Sequence, residues 1–309
     1  MKRIAVAMLA ALSIGLPGSV ALAETHAVYP DVADTTHATP AAAAAFKAFF
    51  TPKSAHQPAG LMANFSKTGV LYIDCTSGGI WPNWDALNAI FSGFLPHASP
   101  AGLSYPTRID GDGRSALVAF TDTKELFGKE LRVLSAVSFD DKGRIIRWID
   151  YWDGRSSQRK TAIGPNYPSD FHDDVGNATG RIADTARKLE QAFAAGDADA
   201  AAAMFTPDAV YEDMALHSQI LGRLAIQRYL ARSLGKVPYG AGASVAHVVG
   251  GDMGGGYEWR AGAAFPMKRG NTALSLDKAG KISRLTVVYD SSLFSDPDYQ
   301  SLVLLSAEK

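Results

Sequence analysis

The sequence predicts two tandem α+β domains, each with helices packed on one curved antiparallel sheet. Two observations carry this prediction. The chain repeats itself at a separation of 137 to 139 residues, and in each copy a group of helical segments precedes a group of strands. A period of this length is the size of a domain, so it indicates a tandem duplication and not a solenoid of short repeats.

The repeat is clearest in the strands. The segment 143–153 follows a polar hairpin turn and is rich in β-branched and aromatic residues, which is typical of a strand. It matches the segment 280–290 at a separation of 137, with a Gly, an Ile, an Arg, an aromatic residue and an Asp at equivalent positions. An upstream strand repeats at a separation of 139, where Tyr72 and Asp74 match Tyr211 and Asp213.

The first copy begins with an alanine-rich segment behind Thr39-Pro40, which favours a helix. Turns rich in Asp and Gly separate the later strands. Helices are predicted over 41–50, 61–65 and 85–95, and strands over 70–74, 105–109, 116–121, 131–139 and 143–153.

The second copy begins with an amphipathic segment that ends at Gly196-Asp197, a helix stop followed by a helix cap. The order of elements is the same as in the first copy. Helices are predicted over 180–195, 198–205 and 224–234, and strands over 209–213, 244–249, 256–261, 272–277 and 281–290.

Length and composition agree with two domains. The 309 residues are 47% hydrophobic, enough for two ordinary cores. The net charge of −1, without a Lys/Arg cluster, argues against nucleic acid as a partner. The single cysteine, Cys75, excludes an internal disulfide, and it is expected to be a buried residue without a chemical role.

The N-terminus predicts export. Residues 1–23 combine a basic start, an apolar run and the small-residue site Ala21-Leu22-Ala23, as a secretory signal does. The expected location is periplasmic or secreted, without membrane association after the signal is removed. The predicted divisions are a signal peptide over 1–23, a disordered leader over 24–39, a first domain over 40–154, a linker over 155–179, a second domain over 180–295 and a C-terminal tail over 296–309.

Four segments of the second copy carry a family resemblance: 193–200, 204–213, 222–230 and 280–284. They resemble the nuclear transport factor 2-like superfamily, within it the SnoaL-like polyketide cyclase and ketosteroid isomerase group. The match covers the second domain fully and the first more loosely. It implies a cone-shaped, cystatin-like α+β roll with an apolar pocket open at one end. This fold serves isomerases, cyclases, dehydratases, epoxide hydrolases and binding modules, so it does not define an activity.

The resemblance also implies site residues. The isomerase-type members carry a base on the first strand, at the positions of Asp74 and Asp213. Strand alternation places Tyr72 beside Asp74, and Tyr211 beside Asp213, as a phenol and carboxylate pair. An alternative remains open: both aspartates hydrogen-bond loop amides at the mouth of the cone.

The last strand distinguishes the two domains. The cyclase-type members carry their carboxylate there, at the position of Asp150, and alternation places Trp148 and Trp152 on the same face. The first domain then holds Asp74 and Asp150 as a pair in which one carboxyl stays protonated. The equivalent residues of the second domain are Leu285, Val287 and Tyr289.

In the second domain, His217, His247 and Glu258 are the candidates to replace the missing carboxylate. Trp81 and Trp84 stand at the start of a helix, and two interpretations remain open: they belong to the core, or they rim a pocket for an aromatic or polycyclic ligand. Asp153 and Asp290 are interpreted as turn or helix-cap residues. No spacing of His, Asp and Glu suggests a metal, and no motif suggests a cofactor.

Two functional hypotheses follow. The first is an exported, cofactor-independent isomerase, cyclase or dehydrating lyase that acts on a small, largely apolar carbonyl or hydroxyl compound. The second is a non-catalytic module that binds a small molecule or a protein. In both, the paired domains are expected to form an intramolecular pseudo-dimer or to assemble with a second chain.

Overall fold

A computed structural model of the chain describes residues 29–157 and 168–307. The predicted signal peptide lies outside these residues, as do parts of the predicted leader and linker. Within the described residues, no helix combines the length and the apolar character needed to cross a membrane.

The first domain alternates a few helices with a long antiparallel meander. Its helices are α1 (Pro40–Ser54), α2 (Pro58–Met62), α3 (Trp84–Phe94) and α4 (Lys124–Phe127). Its strands are β1 (Asp34–Ala38), β2 (Leu71–Asp74), β3 (Gly79–Trp81), β4 (Ser104–Gly111), β5 (Ser115–Asp122), β6 (Leu131–Phe139) and β7 (Ile145–Trp152). A short helix, α5 (Gly154–Ser157), follows the last strand.

The second domain repeats this order. Its helices are α6 (Arg181–Ala194), α7 (Ala198–Ala202), α8 (Arg223–Ser233) and α9 (Asp296–Val303). Its strands are β8 (Phe205–Asp213), β9 (Ser218–Leu221), β10 (Ser244–Gly250), β11 (Gly254–Arg260), β12 (Arg269–Leu276) and β13 (Ile282–Val288).

Each domain has its own sheet. Among the described residues, the first sheet has seven strands in the order β1-β4-β5-β6-β7-β2-β3, and the second has six in the order β10-β11-β12-β13-β8-β9. The orders agree strand for strand once β1 is set aside. Both sheets are antiparallel except where the last strand of the meander pairs in parallel with the first, β7 with β2 and β13 with β8, and where β1 pairs in parallel with β4. This architecture confirms the predicted α+β class.

Several details differ from the sequence-based prediction, among them helix α4, which was not predicted, and helix α2, which begins and ends three residues earlier than predicted. The leader predicted over 24–39 is not wholly disordered, because Asp34–Ala38 forms β1 at the edge of the first sheet. The short strands β3 and β9 were not predicted; each forms a hairpin with the strand before it. The predicted tail begins with helix α9.

Side-chain alternation along β7 gives each face of the first sheet a different role. Trp148 and Trp152 belong to the core beneath α1 and α3. Ile149 and Tyr151 point the other way and contact the second domain. One face therefore shapes the interior of the domain, and the other forms the boundary between domains.

The two domains meet through an apolar cluster and a polar exchange. Leu117, Leu134 and Ile149 of the first sheet pack against Val249, Ala273 and Val288 of the second. At one edge, the Gly154 amide donates to Asp290 Oδ1 at 3.1 Å, and the Ser291 amide donates to Asp153 Oδ1 at 2.8 Å. Asp153 and Asp290 thus bind turn amides reciprocally across the domain boundary.

Candidate functional site

A cavity of about 350 Å³ lies in the first domain between the sheet and α3. Its apolar wall comes from α3, α4 and the strands, and charged residues interrupt that wall: the carboxylates Asp74 and Asp150, the pair Lys53 and Asp122, and Lys129. The main lining residues are Lys53, Tyr72, Asp74, Trp81, Leu87, Ile90, Phe91, Phe94, Asp122, Phe127, Leu131, Val133, Asp150 and Trp152.

Asp150 lies at the buried side of this cavity. Its Oδ2 accepts a hydrogen bond of 2.5 Å from the Tyr72 hydroxyl, and its Oδ1 accepts bonds from the Ser135 hydroxyl and, at 2.5 Å, from Trp148 Nε1. Burial, together with the nearby charge of Asp74, raises the pKa of Asp150 to about 7. The carboxyl group can therefore gain and lose a proton near neutral pH.

Asp74 stands opposite Asp150 on the neighbouring parallel strand. Its Oδ1 accepts bonds from the amides of Thr76 at 3.0 Å and Ser77 at 2.8 Å, and from Trp152 Nε1 at 2.9 Å. Burial raises the pKa of Asp74, although the hydrogen bonds from these donors favour the ionised form and act in the opposite direction. Asp74 therefore orders the β2–β3 turn, as the alternative interpretation held, while it also places a second carboxyl beside Asp150.

Stacked rings support the pair formed by Tyr72 and Asp150. The Tyr72 ring lies nearly parallel to that of Trp148 at 5.9 Å, and Trp148 stacks on Phe49 of α1 at 4.3 Å. Burial and the Asp150 charge raise the pKa of Tyr72 well above its usual value, so the phenol stays a proton donor. Alternation within each strand and the family resemblance together predicted this grouping of Tyr72, Trp148, Asp150 and Trp152 correctly.

Trp81 and Trp84, for which two interpretations remained open, have different positions. Trp81 lines the cavity and meets Tyr72 edge to face at 5.5 Å. Trp84 is absent from the wall; its Nε1 donates to the Met62 carbonyl at 3.3 Å. Trp84 therefore anchors α3 to α2 and does not contact a ligand in this cavity.

Sequence reasoning missed a buried ion pair in the cavity wall. Lys53 Nζ lies 3.1 Å from Asp122 Oδ1, and each residue is only 5% exposed. A signal was available: Phe46, Phe49 and Phe50 mark the apolar face of α1, and Lys53 continues this face one turn later. A lysine in the apolar stripe of a helix indicates a charge pointing inwards.

The equivalent carboxylate of the second domain, Asp213, is enclosed by packed side chains. Asp213 is fully buried; its Oδ1 accepts from the amides of Ala215 and Leu216, both at 3.0 Å, and its Oδ2 from the Tyr239 hydroxyl at 3.0 Å. Tyr211 donates to the same Tyr239 at 2.8 Å. Burial raises the pKa of Asp213 to about 7. Asp213 and Tyr211 are therefore packed in a core without exposed surface.

The residues proposed to compensate in the second domain do not reach Asp213. His217 is exposed at the surface, with its Nε2 3.9 Å from Asp153. His247 is buried at the domain boundary, where its Nδ1 lies 3.0 Å from the Asp173 carbonyl, and burial and Arg147 lower its pKa to about 4. Glu258 pairs with Arg147 at 2.5 Å. None of the three reaches Asp213, because His217 lies at the surface while His247 and Glu258 face the boundary between the domains.

Two further sequence-based expectations concern reactivity. Cys75 is buried in the apolar cluster between the domains, and burial raises the pKa of its thiol far above the usual range. It lies on the opposite face from the cavity, which agrees with a role in packing. In the described part of the chain, no three His, Cys, Asp or Glu side chains come together as a metal site requires.

Comparison with known proteins supports the family resemblance. Residues 186–285 match the family model for a SnoaL-like domain, and this stretch includes the four segments on which the resemblance rests. No curated protein sequence matches this chain.

Several solved structures resemble one domain of this chain. A putative SnoaL-like polyketide cyclase from Shewanella denitrificans has 12% identity and a TM-score of 0.33, with 39% of this chain and 96% of that chain covered. A steroid delta-isomerase from Pseudomonas aeruginosa has 18% identity, a TM-score of 0.29 and coverage of 36% and 79%. An LEH-like epoxide hydrolase from M. tuberculosis has 20% identity, a TM-score of 0.33 and coverage of 38% and 86%. At such low identities and TM-scores, these similarities carry no argument about activity.

Proposed function

We propose that the first domain is a cofactor-independent acid/base enzyme that moves a proton on a small, largely apolar carbonyl or hydroxyl compound. One observation carries this proposal: Asp150 lies in the wall of an apolar cavity with a pKa of about 7 and a short bond to Tyr72. A carboxyl group with such a pKa is suited to accept and return protons at neutral pH.

The chemistry uses Asp150 and Tyr72 as one unit. The Asp150 carboxylate takes a proton from a carbon next to the substrate carbonyl, and the electron pair moves onto the carbonyl oxygen. Once protonated, the Asp150 carboxyl donates to the Tyr72 oxygen, which frees the Tyr72 hydroxyl to donate to the substrate oxygen. Return of the proton to a different carbon completes an isomerisation and regenerates Asp150.

The Asp150→Asn variant tests this role. Asn keeps the size and a hydrogen-bond acceptor of Asp150 but cannot take up the proton, so turnover should fall at least about a hundredfold. Turnover is measured on a panel of enones, epoxides and phenols. Asp213→Asn is the matched control, because it removes an equally buried carboxyl from the second domain. Equal turnover by the wild-type protein and Asp150→Asn would disprove the proposal.

We also propose that the chain is exported. Lys2 and Arg3 before an apolar run, with Ala21-Leu22-Ala23 at its end, support this proposal. N-terminal sequencing of protein recovered from a bacterial periplasm or culture medium should give a first residue at Glu24. Recovery of the uncleaved chain in the cytoplasm alone would contradict it.

A further inference from the structure

The cavity has a second polar region, formed by Lys53 of α1 and Asp122 of β5. Both side chains line the cavity, and both are almost fully buried. The Lys53 ammonium also lies 4.8 Å from the centre of the Phe120 ring and 5.9 Å from those of Phe49 and Phe50. An ammonium group thus faces the cavity from an aromatic surround.

Burial of the Lys53–Asp122 ion pair lowers the stability of the fold unless the ammonium group makes further interactions. Taking a lysine and an aspartate out of water costs several kcal/mol per ion, and an apolar pair of the same size is often as stable or more stable. The hydrogen bond that Lys53 makes within the described residues goes to Asp122, whereas an ammonium group carries three N–H donors. Donor capacity therefore remains on a group that lines the cavity.

The second domain provides an internal comparison. When the two sheets are compared strand by strand, Val287 of β13 takes the position that Asp150 has in β7. The same strand pairing places Ala261, just after β11, at the position of Asp122 at the end of β5. Tyr239 and other buried aromatic residues pack in the core of that domain. The second domain thus has Val287 and Ala261 at the positions of Asp150 and Asp122, so these two carboxylates belong to the first domain alone.

We infer that Lys53, held by Asp122, binds an oxygen atom of the ligand and so selects an apolar compound with two oxygen functions. One oxygen function lies at Tyr72 and Asp150, and the second, a carbonyl or hydroxyl group, lies at Lys53. The apolar side chains of the cavity wall, including Leu87, Phe91, Leu131 and Val133, contact the apolar body. The placement of the first oxygen at Tyr72 and Asp150 rests on the proposed function, whereas the role of Lys53 does not.

Binding of matched probes tests the inference. The probes are 1- and 2-naphthol and a set of naphthalene diols that differ in the separation of their two hydroxyls. In the wild-type protein, at least one diol should bind about tenfold or more tightly than either naphthol, as expected for a hydrogen bond to a charged donor. In the double variant Lys53→Met/Asp122→Val, the diol should lose this advantage while the naphthols keep their affinity.

Two control variants show whether the diol preference belongs to the Lys53–Asp122 pair. Lys129→Met removes a different lysine of the cavity wall and should keep the diol preference. Asp150→Asn should also keep it, so loss of turnover in that variant and loss of the preference in the double variant are independent results. The inference is overturned if the double variant keeps the full diol preference, if both probe classes weaken equally, or if no probe binds the wild-type protein.

Discussion

At the scale of single residues, Asp150 and Asp213 show how much depends on what surrounds a buried carboxyl. Burial raises the pKa of each to about 7. Asp150 lines a cavity, whereas Asp213 is enclosed by protein and already binds two amides and a tyrosine. The two carboxyl groups therefore share a pKa but differ in access, since Asp150 borders open space and Asp213 does not.

The pH profile of activity follows from Asp150. The base proposed here accepts a proton only when ionised, so kcat/KM should rise with pH and reach a plateau above the Asp150 pKa of about 7. Initial rates of an identified substrate between pH 5 and 9 give this profile. A rate that is flat across pH 7, with the chemical step limiting, would show that Asp150 does not act as the base.

The pH dependence of stability follows from Asp213. Its pKa in the folded protein lies above the usual value of 3.8, so the folded state binds more protons than the unfolded state between pH 4 and 7. Stability contributed by this group is present below pH 4 and is lost as the pH rises to about 7. In Asp213→Asn, the decrease in unfolding free energy between these pH values should be smaller by about 2–4 kcal/mol. Urea unfolding at pH 4.5 and pH 8 measures the change, with Asp213→Asn less sensitive to pH than the wild-type protein.

Alternation along single strands predicted that Trp148, Asp150 and Trp152 share a face and that Tyr72 lies beside Asp74, and the family resemblance brought these two strands together. Alternation was not sufficient for Lys53, because the position of α1 over the sheet depends on tertiary packing. Nor did it predict that Tyr239 would reach the interior of the second domain, since this residue lies in an irregular segment after α8. Sequence patterns say least about side chains that reach a site from an irregular segment or from an element distant in the chain.

At the scale of elements, α3 supplies much of the apolar wall of the cavity. Leu87, Ile90, Phe91 and Phe94 of this helix line the cavity, and only Leu87 is fully buried. The Asn83 side chain caps the helix, with its Oδ1 accepting from the Ala86 amide at 2.9 Å. The Asn83 cap therefore holds the first turn of the helix whose side chains form this part of the cavity wall.

Removal of this cap should affect both stability and binding. Asn83→Ala should cost about 1 kcal/mol of unfolding free energy and weaken the binding of naphthol several-fold. Asp197→Ala removes a side-chain cap of the same kind from α7 in the second domain, where Asp197 Oδ1 accepts from the Ala200 amide at 2.9 Å. This variant should lose as much stability without a change in naphthol binding. Urea unfolding and naphthol titration of both variants make the comparison. Equal effects of the two variants on binding would contradict the role given to α3.

Elements with a strong periodic pattern could be predicted from the sequence, and short edge strands could not. The strand β1, with the sequence Asp-Thr-Thr-His-Ala, is polar and largely exposed, so no alternation marks it. It forms because the backbone of β4 offers an unpaired edge. The strands β3 and β9 are only three and four residues long, and each depends on the hairpin that brings it to its partner.

At the scale of the whole molecule, the duplication joins two domains through a charged network as well as an apolar cluster. Arg147 of β7 pairs with Glu258 of β11 at 2.5 Å, and neither side chain has exposed surface. Asp173, from the predicted linker, accepts bonds from Arg147 at 3.3 Å and from Arg269 at 2.7 Å. Burial opposes the ionisation of Glu258, yet Arg147 and Arg269 lower its pKa to about 2. The boundary thus holds charges that depend on one another.

This dependence predicts that the domains unfold together. Arg147→Met leaves Glu258 buried with one cationic partner fewer, so it should cost about 3 kcal/mol or more of unfolding free energy. Arg284→Met is the matched control, because Arg284 pairs with Glu212 at 2.7 Å but is 39% exposed in its side chain, and it should cost less than about 1 kcal/mol. Calorimetry should show one transition for the wild-type protein and for Arg284→Met. In Arg147→Met it should show a lower Tm or a split into two transitions, because coupling across the boundary is what merges the unfolding of two separate cores. An unchanged single transition in Arg147→Met would show that the apolar cluster alone holds the domains together.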